Sequence, residues 1–407
     1  MPPERGSGAV APVRTLEAKL HEAENLADSL GLEVVCGEGV RLSKINPATL
    51  IGGGKVDELK ARVADDGVEV VVVDAGLSPR QQRNLEVGLQ AKVLDRTGLI
   101  LEIFASRART RAGKLQVELA RQTYMQSRLV RQWTHLERQR GGTGKASGPG
   151  ERQLDLDRTM IKTRIGRLKA ELADVAATRN LQRVARQRAQ IPTVALVGYT
   201  NAGKSTLFNR VVEAGTLVAD ALFATLDPLM RRFRLPGGLE IVLADTVGFV
   251  ADLPHELVEA FKATLEEVVM ADLLLEVRDA SNPDWRAQAA DVDAVLREIG
   301  AADKPRVVAF NKVDRLADGV EVPEGGLGVS AVSGEGVDNL LAALEAELKQ
   351  AWQVLEVRVP ASDGKRLAWL YAHGDVLESV LEGEEWRLNV RLRAEDVGVW
   401  EKDLILR

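Results

Sequence analysis

An octapeptide with glycine at its first and sixth positions, ending in a lysine and a serine, is the part of this sequence best suited to chemistry. It follows the apolar run Thr193–Val197 and fits the pattern G-x-x-x-x-G-K-S. Its members are Gly198, Tyr199, Thr200, Asn201, Ala202, Gly203, Lys204 and Ser205. Glycines let backbone N–H groups surround an anion, and a helix that starts here adds its positive end. The pattern predicts a phosphate-binding loop in which Lys204 acts catalytically on the terminal phosphates and Ser205 ligates Mg²⁺.

A second candidate strand end carries Asp245, Thr246, Val247 and Gly248, directly after the apolar run Ile241–Ala244. An aspartate in this place can bind Mg²⁺, and the N–H of Gly248 can approach the terminal phosphate. We therefore predict that Asp245 is a metal ligand and that Gly248 has a catalytic role. Taken alone, this tetrapeptide would more simply be a turn after a strand.

The base is indicated by Asn311, Lys312, Val313 and Asp314, which follow the apolar run Val307–Phe310. Guanine presents two adjacent N–H donors that adenine lacks, and one carboxylate, Asp314, can accept both. Asn311 can connect loops, and the aliphatic stem of Lys312 can lie along the base. Together with the two preceding motifs, this one predicts a pocket for GTP and GDP, with Mg²⁺ as cofactor and GTP hydrolysis as the reaction.

Two further segments complete the predicted pocket. The segment Val329, Ser330 and Ala331 can offer a backbone N–H to the guanine O6. A predicted switch loop lies between the first two motifs and consists of Phe223, Ala224, Thr225, Leu226 and Asp227. We assign Thr225, rather than Thr216, as the residue that completes the Mg²⁺ ligands and senses the γ-phosphate, so it is both a catalytic and a metal-binding candidate.

The residue after Gly248 is Phe249, at the place where a glutamine would serve to position the attacking water. A phenyl ring cannot orient water. We therefore expect slow hydrolysis by the isolated protein, and completion of the site by a partner or by another switch residue. This consequence holds even if Phe249 is only a packed loop aromatic.

The 407-residue chain is long enough for several domains. We predict four regions: a small α/β domain at 1–105, a helical hairpin at 106–188, the nucleotide domain at 189–350 and a small α+β domain at 351–407. The fold class is α/β, with a doubly wound sheet in the nucleotide domain. Predicted elements outside that domain are strands at Val68–Asp74, Ala91–Leu94, Val354–Val359 and Trp386–Arg393, and a helix at Pro79–Leu89.

The second region combines helical periodicity with positive charge. Its later half carries a heptad seam formed by Ile161, Ile165, Leu168, Leu172 and Val175. The glycine-rich segment 141–150 should not be helical, which predicts two antiparallel helices joined at a tip. Residues 106–188 hold 20 basic and 7 acidic residues, a net charge of +13 in a chain whose total is −6. Such a block is typical of polyanion binding, and a solvated helical face is the alternative.

Composition limits the remaining classes of protein. Charged residues make up 28% of the chain, its single cysteine, Cys36, allows no internal disulfide, and no segment has about 18 uninterrupted apolar residues. The four histidines are too dispersed to suggest a zinc site. We expect a monomeric cytoplasmic protein without a membrane span, associated at most peripherally with ribosomes or a membrane.

The sequence resembles the HflX family of translation-associated GTPases over roughly residues 45–350. The resemblance extends beyond the nucleotide motifs. The similar segments are 95–104, 113–120, 133–139, 148–151, 223–228 and 261–266. It implies a protein that binds the large ribosomal subunit and its rRNA in the GTP state, with the hairpin tip near the peptidyl-transferase centre. It also implies splitting of ribosomes under stress and stimulation of hydrolysis by the ribosome.

Two departures from the family and several alternatives remain open. Leu229 stands where the family commonly has threonine, and the tip is longer than the family's compact glycine loop, so splitting could be weaker than GTP hydrolysis. Some members hydrolyse ATP through the N-terminal domain, where Gly52–Lys55 is either relevant or a helix-entry turn. The main alternative function is a GTP-switched RNA-binding or ribosome-assembly factor without splitting activity. A membrane or signalling GTPase is weaker, because we find no lipidation motif.

Overall fold

The computed structural model of this chain describes residues 14–42, 44–136, 149–188, 191–212, 229–251, 265–316, 322–350, 352–392 and 396–400. The side chains of 129–136, 149–155 and 176–188 lie outside that description. The predicted switch loop, 223–227, and most of the predicted tip also fall outside it. No helix in the described ranges is long and apolar enough to cross a bilayer.

The N-terminal part is a small α/β unit built around two parallel strands. Its elements are α1 (Leu16–Ser29), α2 (Gly53–Asp65), β1 (Val70–Val73), α3 (Pro79–Leu89), β2 (Lys92–Asp95) and α4 (Arg96–Arg107). The predicted helix Pro79–Leu89 is confirmed, and its start has a local cause. Ser78 and Gln81 form a reciprocal capping box, and proline occupies the first helical position. Gly52 precedes α2, so the Gly52–Lys55 segment is a helix entry.

Two long helices follow, α5 (Arg111–Leu136) and α6 (Pro149–Arg188), and they pack against each other. Arg111 of α5 lies 4.0 Å from Glu171 of α6, and Glu118 of α5 lies 3.8 Å from Arg164 of α6. The two helices therefore run in opposite directions. The seam residue Leu168 is buried. The predicted antiparallel arrangement is confirmed, with one correction: α6 already begins at Pro149, because proline suits the first helical position, so the predicted non-helical segment ends earlier.

The nucleotide domain contains a six-stranded sheet in the order β4-β5-β3-β6-β7-β8. Only β4 runs antiparallel to its neighbour. The strands are β3 (Thr193–Val197), β4 (Leu229–Arg234), β5 (Glu240–Asp245), β6 (Leu273–Asp279), β7 (Arg306–Asn311) and β8 (Leu327–Gly328). The helices with described bounds are α7 (Lys204–Val212), α8 (Trp285–Glu298) and α9 (Val337–Gln350), and residues 265–270 are also helical. The carboxyl ends of the five parallel strands therefore meet at one edge, which is where such sheets bind ligands.

Apolar clusters cover both faces of this sheet. On one face, Leu207 of α7 and Leu340 of α9 pack against alternate residues of the central strands. On the other face, Ile103 and Phe104 of α4 share a single cluster with Val197 of β3. The N-terminal unit and the nucleotide domain thus share one continuous core.

The C-terminal part contains a three-stranded antiparallel sheet in the order β10-β11-β9 and the helix α10, and residues 396–400 are also helical. Its elements are β9 (Gln353–Pro360), α10 (Gly364–His373), β10 (Asp375–Glu382) and β11 (Glu385–Leu392). The sequence predicted two of these strands, β9 and β11, and not β10. In β10, Val376 and Val380, like Leu377 and Leu381, are spaced four apart as on a helix, yet pairing with β11 makes this segment an edge strand.

Candidate nucleotide-binding site

The phosphate-loop motif lies between β3 and α7, as the sequence predicted. Gly203 has φ +91°, and a side chain there would meet the Asn311 amide nitrogen at 2.1 Å. A side chain at Gly198, with φ +145°, would meet the Val277 carbonyl oxygen at 2.2 Å. Both positions therefore require glycine for backbone conformation and for space. Asn201 is exposed and also has a positive φ, 59°, which leaves the loop backbone tightly curved.

Lys204 begins α7 with its side chain buried inside the loop. Its ammonium donates to the backbone carbonyls of Gly198 at 3.0 Å and Tyr199 at 2.8 Å. Burial lowers the pKa of Lys204 to about 8, and the nearby negative charge of Asp245 offsets part of that effect. The loop thus holds one cation that has lost most of its hydration, placed where an anion would stabilise it.

This pKa predicts a pH dependence of nucleotide binding. Bound phosphates raise the pKa of Lys204, so above about pH 8 binding must take up a proton. We expect the Kd for GDP to rise by up to about tenfold per pH unit above that value, and to lose this dependence below about pH 7. Calorimetry in buffers of different ionisation enthalpy measures the proton uptake. The pH is kept below the range in which the guanine base itself loses a proton.

Lys204→Arg is the control for this prediction. An arginine stays charged throughout the range, so its binding, even if weaker, should take up no proton. Equal proton uptake by both proteins would assign the pH dependence to another group.

Ser205 and Asp245 lie together beside the loop. The Ser205 hydroxyl donates to the Asp245 carboxylate at 2.7 Å, and Asp245 is completely buried. A hydroxyl and a carboxylate are oxygen ligands of the kind that Mg²⁺ prefers, and Mg²⁺ commonly takes its other ligands from phosphates and water. The pair therefore fits Mg²⁺, which when bound neutralises charge on nucleotide phosphates. Thr225, the third predicted ligand, lies outside the described residues.

The segment after Asp245 packs against the phosphate loop through its backbone. A side chain at Gly248 would meet the Thr200 Cα at 2.9 Å and the Lys204 ammonium at 3.1 Å, so only glycine fits. Phe249 extends this contact, because its N–H donates to the Gly198 carbonyl at 3.1 Å and its carbonyl accepts from the Thr200 N–H at 2.6 Å. Phe249 is 2% exposed and its side chain belongs to the core, so it offers no group that could position water.

Three predicted nucleotide-contacting residues direct their side chains elsewhere. The Thr246 hydroxyl donates to the Leu196 carbonyl at 2.5 Å and so connects β5 with β3. Val247 and Val329 belong to the two apolar clusters of the sheet. Any contact of these residues with nucleotide would have to come from the backbone and stays a prediction.

The base-recognition motif follows β7 and is connected to the phosphate loop. The Asn311 side chain donates to the Ala202 carbonyl at 2.9 Å and accepts from the Ala331 N–H at 2.9 Å. It therefore joins the phosphate loop to the loop after β8, as expected. Val313 and Asp314 form a short 3₁₀ turn, and Asp314 is exposed.

The predicted contact with guanine O6 is less direct than the sequence suggested. The N–H groups of Val329, Ser330 and Ala331 donate to the Phe310 carbonyl, the Glu335 carbonyl and the Asn311 side chain, each at 2.9 Å. These residues shape the loop. A contact with O6 stays a prediction that requires one of these bonds to be exchanged.

Sequence reasoning missed the connection between this site and the N-terminal unit. The Tyr199 hydroxyl donates to Glu22 at 2.8 Å and accepts from the Ala251 N–H at 2.8 Å and from Arg14 at 3.0 Å. Burial and the charge of Glu22 raise the pKa of Tyr199, which keeps its hydroxyl protonated. Arg96 also donates to the Ala251 carbonyl, at 3.0 Å, so both backbone groups of Ala251 are held at this junction. No local pattern around Arg14 or Glu22 signals these contacts.

These features together define a P-loop GTPase. At one edge of a mostly parallel sheet lie the phosphate loop, the Ser205–Asp245 pair and the guanine motif. Four family models match consecutive parts of the chain. Their descriptions and ranges are "GTP-binding GTPase N-terminal" (17–105), "GTP-binding GTPase Middle Region" (107–186), "50S ribosome-binding GTPase" (193–312) and "HflX C-terminal domain" (316–404).

Curated proteins with similar sequences align with most of this chain. The GTPase HflX of Magnetococcus marinus is 53% identical over 372 residues, covering 90% of this chain and 86% of that protein. The GTPase HflX of Escherichia coli K12 is 45% identical over 359 residues, covering 86% and 84%. The chain therefore belongs to the HflX family of GTPases. A solved GTP-binding protein from Sulfolobus solfataricus in complex with GDP aligns at 24% identity over 81% of this chain and 95% of that one, with a TM-score of 0.44.

Proposed function

We propose that this GTPase binds the large ribosomal subunit in its Mg²⁺–GTP state and splits ribosomes under stress. The family model that matches the nucleotide domain is described as a 50S ribosome-binding GTPase, which supports a ribosomal partner. The observation that carries the proposal is the basic helical hairpin attached to the N-terminal unit. The protein acts as a cytoplasmic monomer in this proposal.

The hairpin presents exposed positive charge on α6 and at the start of α5. Lys162, Arg167 and Lys169 are exposed on α6 and make no ion pair with any described residue. Lys114 is exposed at the start of α5, whereas the exposed Arg111 beside it lies 4.0 Å from Glu171. Cations that are not neutralised within the protein are available to phosphates, and binding through them releases counterions from RNA.

A chain of contacts leads from the nucleotide site to this hairpin through the last residue of β2, Asp95, and the first residue of α4, Arg96. Asp95 is 3% exposed and accepts hydrogen bonds from Tyr124 at 2.7 Å and Arg128 at 3.3 Å, both on α5. The next residue, Arg96, donates a hydrogen bond to the carbonyl of Ala251, which lies three residues after Gly248. A change around Gly248 on GTP binding would therefore reach the base of the hairpin through a short buried path.

The chain's own residues support hydrolysis that depends on a partner. Loop N–H groups and Lys204 bind and orient the phosphates, and Asp245 and Ser205 hold Mg²⁺. Phe249 supplies no group to position water, so water must be oriented by the switch loop or by the partner. Intrinsic turnover is slow in this proposal, and the ribosome stimulates it.

Co-sedimentation with purified large subunits tests the proposal. With a non-hydrolysable GTP analogue, more protein should sediment with the subunits than with GDP. Replacing Lys162, Arg167 and Lys169 by glutamate should weaken this association at least about tenfold and reduce its salt dependence. The matched control is glutamate at the exposed Lys60, Arg83 and Lys365, which changes the net charge equally away from the hairpin. Equal association with GDP, or equal losses in both triple variants, would contradict the proposal.

A splitting assay with intact ribosomes separates the two candidate functions. A splitting factor dissociates them in the presence of GTP. An assembly or RNA-binding factor binds large subunits and leaves whole ribosomes intact.

A further inference from the structure

We propose that Asp279 is a positioning residue for guanine-nucleotide binding, because it anchors Lys312 of the base-recognition motif. The Lys312 ammonium lies 2.7 Å from the Asp279 carboxylate, and each side chain is 13% exposed. A largely buried ion pair with this geometry is held more firmly than an exposed one, because it is poorly screened by solvent. The inference rests on the proposed role of Asn311–Asp314 in guanine recognition.

The fold places Asp279 for this role. Asp279 ends β6 and lies in register with Asn311, which ends the neighbouring parallel strand β7. The N–H of Ala280 donates to the Asn311 carbonyl at 2.8 Å, so the strand pairing continues past both residues. The strand register therefore brings the carboxylate of Asp279 close to Lys312, the residue that follows Asn311.

The carboxylate is itself oriented by other contacts. One of its oxygens accepts from the Ser281 N–H at 3.0 Å and from the Ser281 hydroxyl at 2.6 Å. Lys312 occupies the other oxygen. Asp279 is thus fixed by its own turn, and the lysine side chain is the partner that it orders.

Two consequences follow at the base-recognition motif. Lys312 adopts a left-handed backbone conformation, with φ 67°, immediately before the turn that contains Asp314. With its ammonium anchored at Asp279, the four-carbon stem has a fixed direction and can serve as an apolar platform for a base. The anchored ammonium is also kept from pairing with the exposed Asp314 carboxylate two residues along, which has to remain available to guanine.

The Lys312 stem and the Asp314 carboxylate therefore contribute to different properties: the first to nucleotide affinity, the second to the preference for guanine over adenine. Platform contacts act on any purine, whereas the two hydrogen bonds of Asp314 distinguish guanine from adenine. Asp279→Asn should therefore release GDP about tenfold faster than the wild type while it keeps the preference for GDP over ADP. Lys312→Met should give a similar loss, since both changes disrupt the same pair.

The test measures dissociation of fluorescently labelled GDP by stopped flow, together with competition by unlabelled GDP and ADP. The proteins are the wild type, Asp279→Asn, Lys312→Met, the double variant and the control Asp284→Asn. Asp284→Asn removes one negative charge, as Asp279→Asn does, from the same connection between β6 and α8. The Asp284 side chain makes no capping hydrogen bond to α8. Thermal unfolding verifies that each variant is folded, and Asp279→Glu, which keeps the charge, should restore part of the slow dissociation.

The expected result is non-additivity: in the Lys312→Met background, Asp279→Asn should change the dissociation rate by less than about twofold. Additive losses, or a rate for Asp279→Asn equal to that of Asp284→Asn, would overturn the inference. A wild-type protein that does not prefer GDP to ADP would instead overturn the proposed guanine site itself. The two failures are therefore distinguishable.

Discussion

Lys204→Ala is expected to reduce GTP hydrolysis on the order of 10³-fold or more. Lys204 is a buried cation inside the phosphate loop, and among the described residues its ammonium is held by the carbonyls of Gly198 and Tyr199 and by the field of Asp245. Alanine leaves no positive charge for the terminal phosphates, whereas the loop N–H groups remain. Phosphate release under single-turnover conditions measures the loss in the chemical step.

Lys365→Ala is the matched control, because Lys365 is exposed in the C-terminal part and its substitution removes the same positive charge. Its hydrolysis rate should equal that of the wild type. Substantial residual turnover in Lys204→Ala would point to a second nucleotide site, for which the N-terminal unit is the natural place to search.

Asp314→Asn is expected to weaken GDP binding by about 10²-fold or more. The carboxylate accepts from both guanine N–H donors, whereas an asparagine side chain offers one acceptor and one donor group. That donor would face a guanine donor. The same change should improve binding of xanthine nucleotides, which carry an oxygen in place of the guanine amino group. Equilibrium competition among GDP, XDP and ADP measures both effects.

Asp303→Asn provides the control for this variant, since Asp303 is exposed between α8 and β7 and loses the same charge. It should bind GDP as the wild type does. An unchanged ratio of GDP to ADP affinity in Asp314→Asn would refute the assignment of base recognition to this carboxylate.

The nucleotide site was the most predictable part of the molecule because its determinants are local. Each motif follows an apolar run that forms a strand, and the strands β3, β5 and β7 end within one residue of the predicted positions. Gly198 and Gly203 could be recognised because close backbone approach requires glycine. The hairpin was predictable for a similar reason, since a heptad seam needs a partner helix.

The parts that sequence reasoning missed depend on contacts between distant residues. Arg14 and Tyr199 are 185 positions apart, and nothing near either residue indicates that they meet. Asp279 and Lys312 are separated by 33 positions and meet only because β6 and β7 are neighbours in parallel register. Strand β10 was missed because its apolar spacing is helical and pairing with β11 overrides it.

GTP hydrolysis with and without purified large ribosomal subunits tests the central claim most directly. The packing of Phe249 into the core leaves the site without a water-orienting side chain at that position, so we predict slow turnover by the isolated protein. Large subunits should raise the rate at least about tenfold, and the variant with glutamate at Lys162, Arg167 and Lys169 should lose most of that increase at an unchanged basal rate. A fast rate without subunits, or the same rate with and without them, would contradict the account.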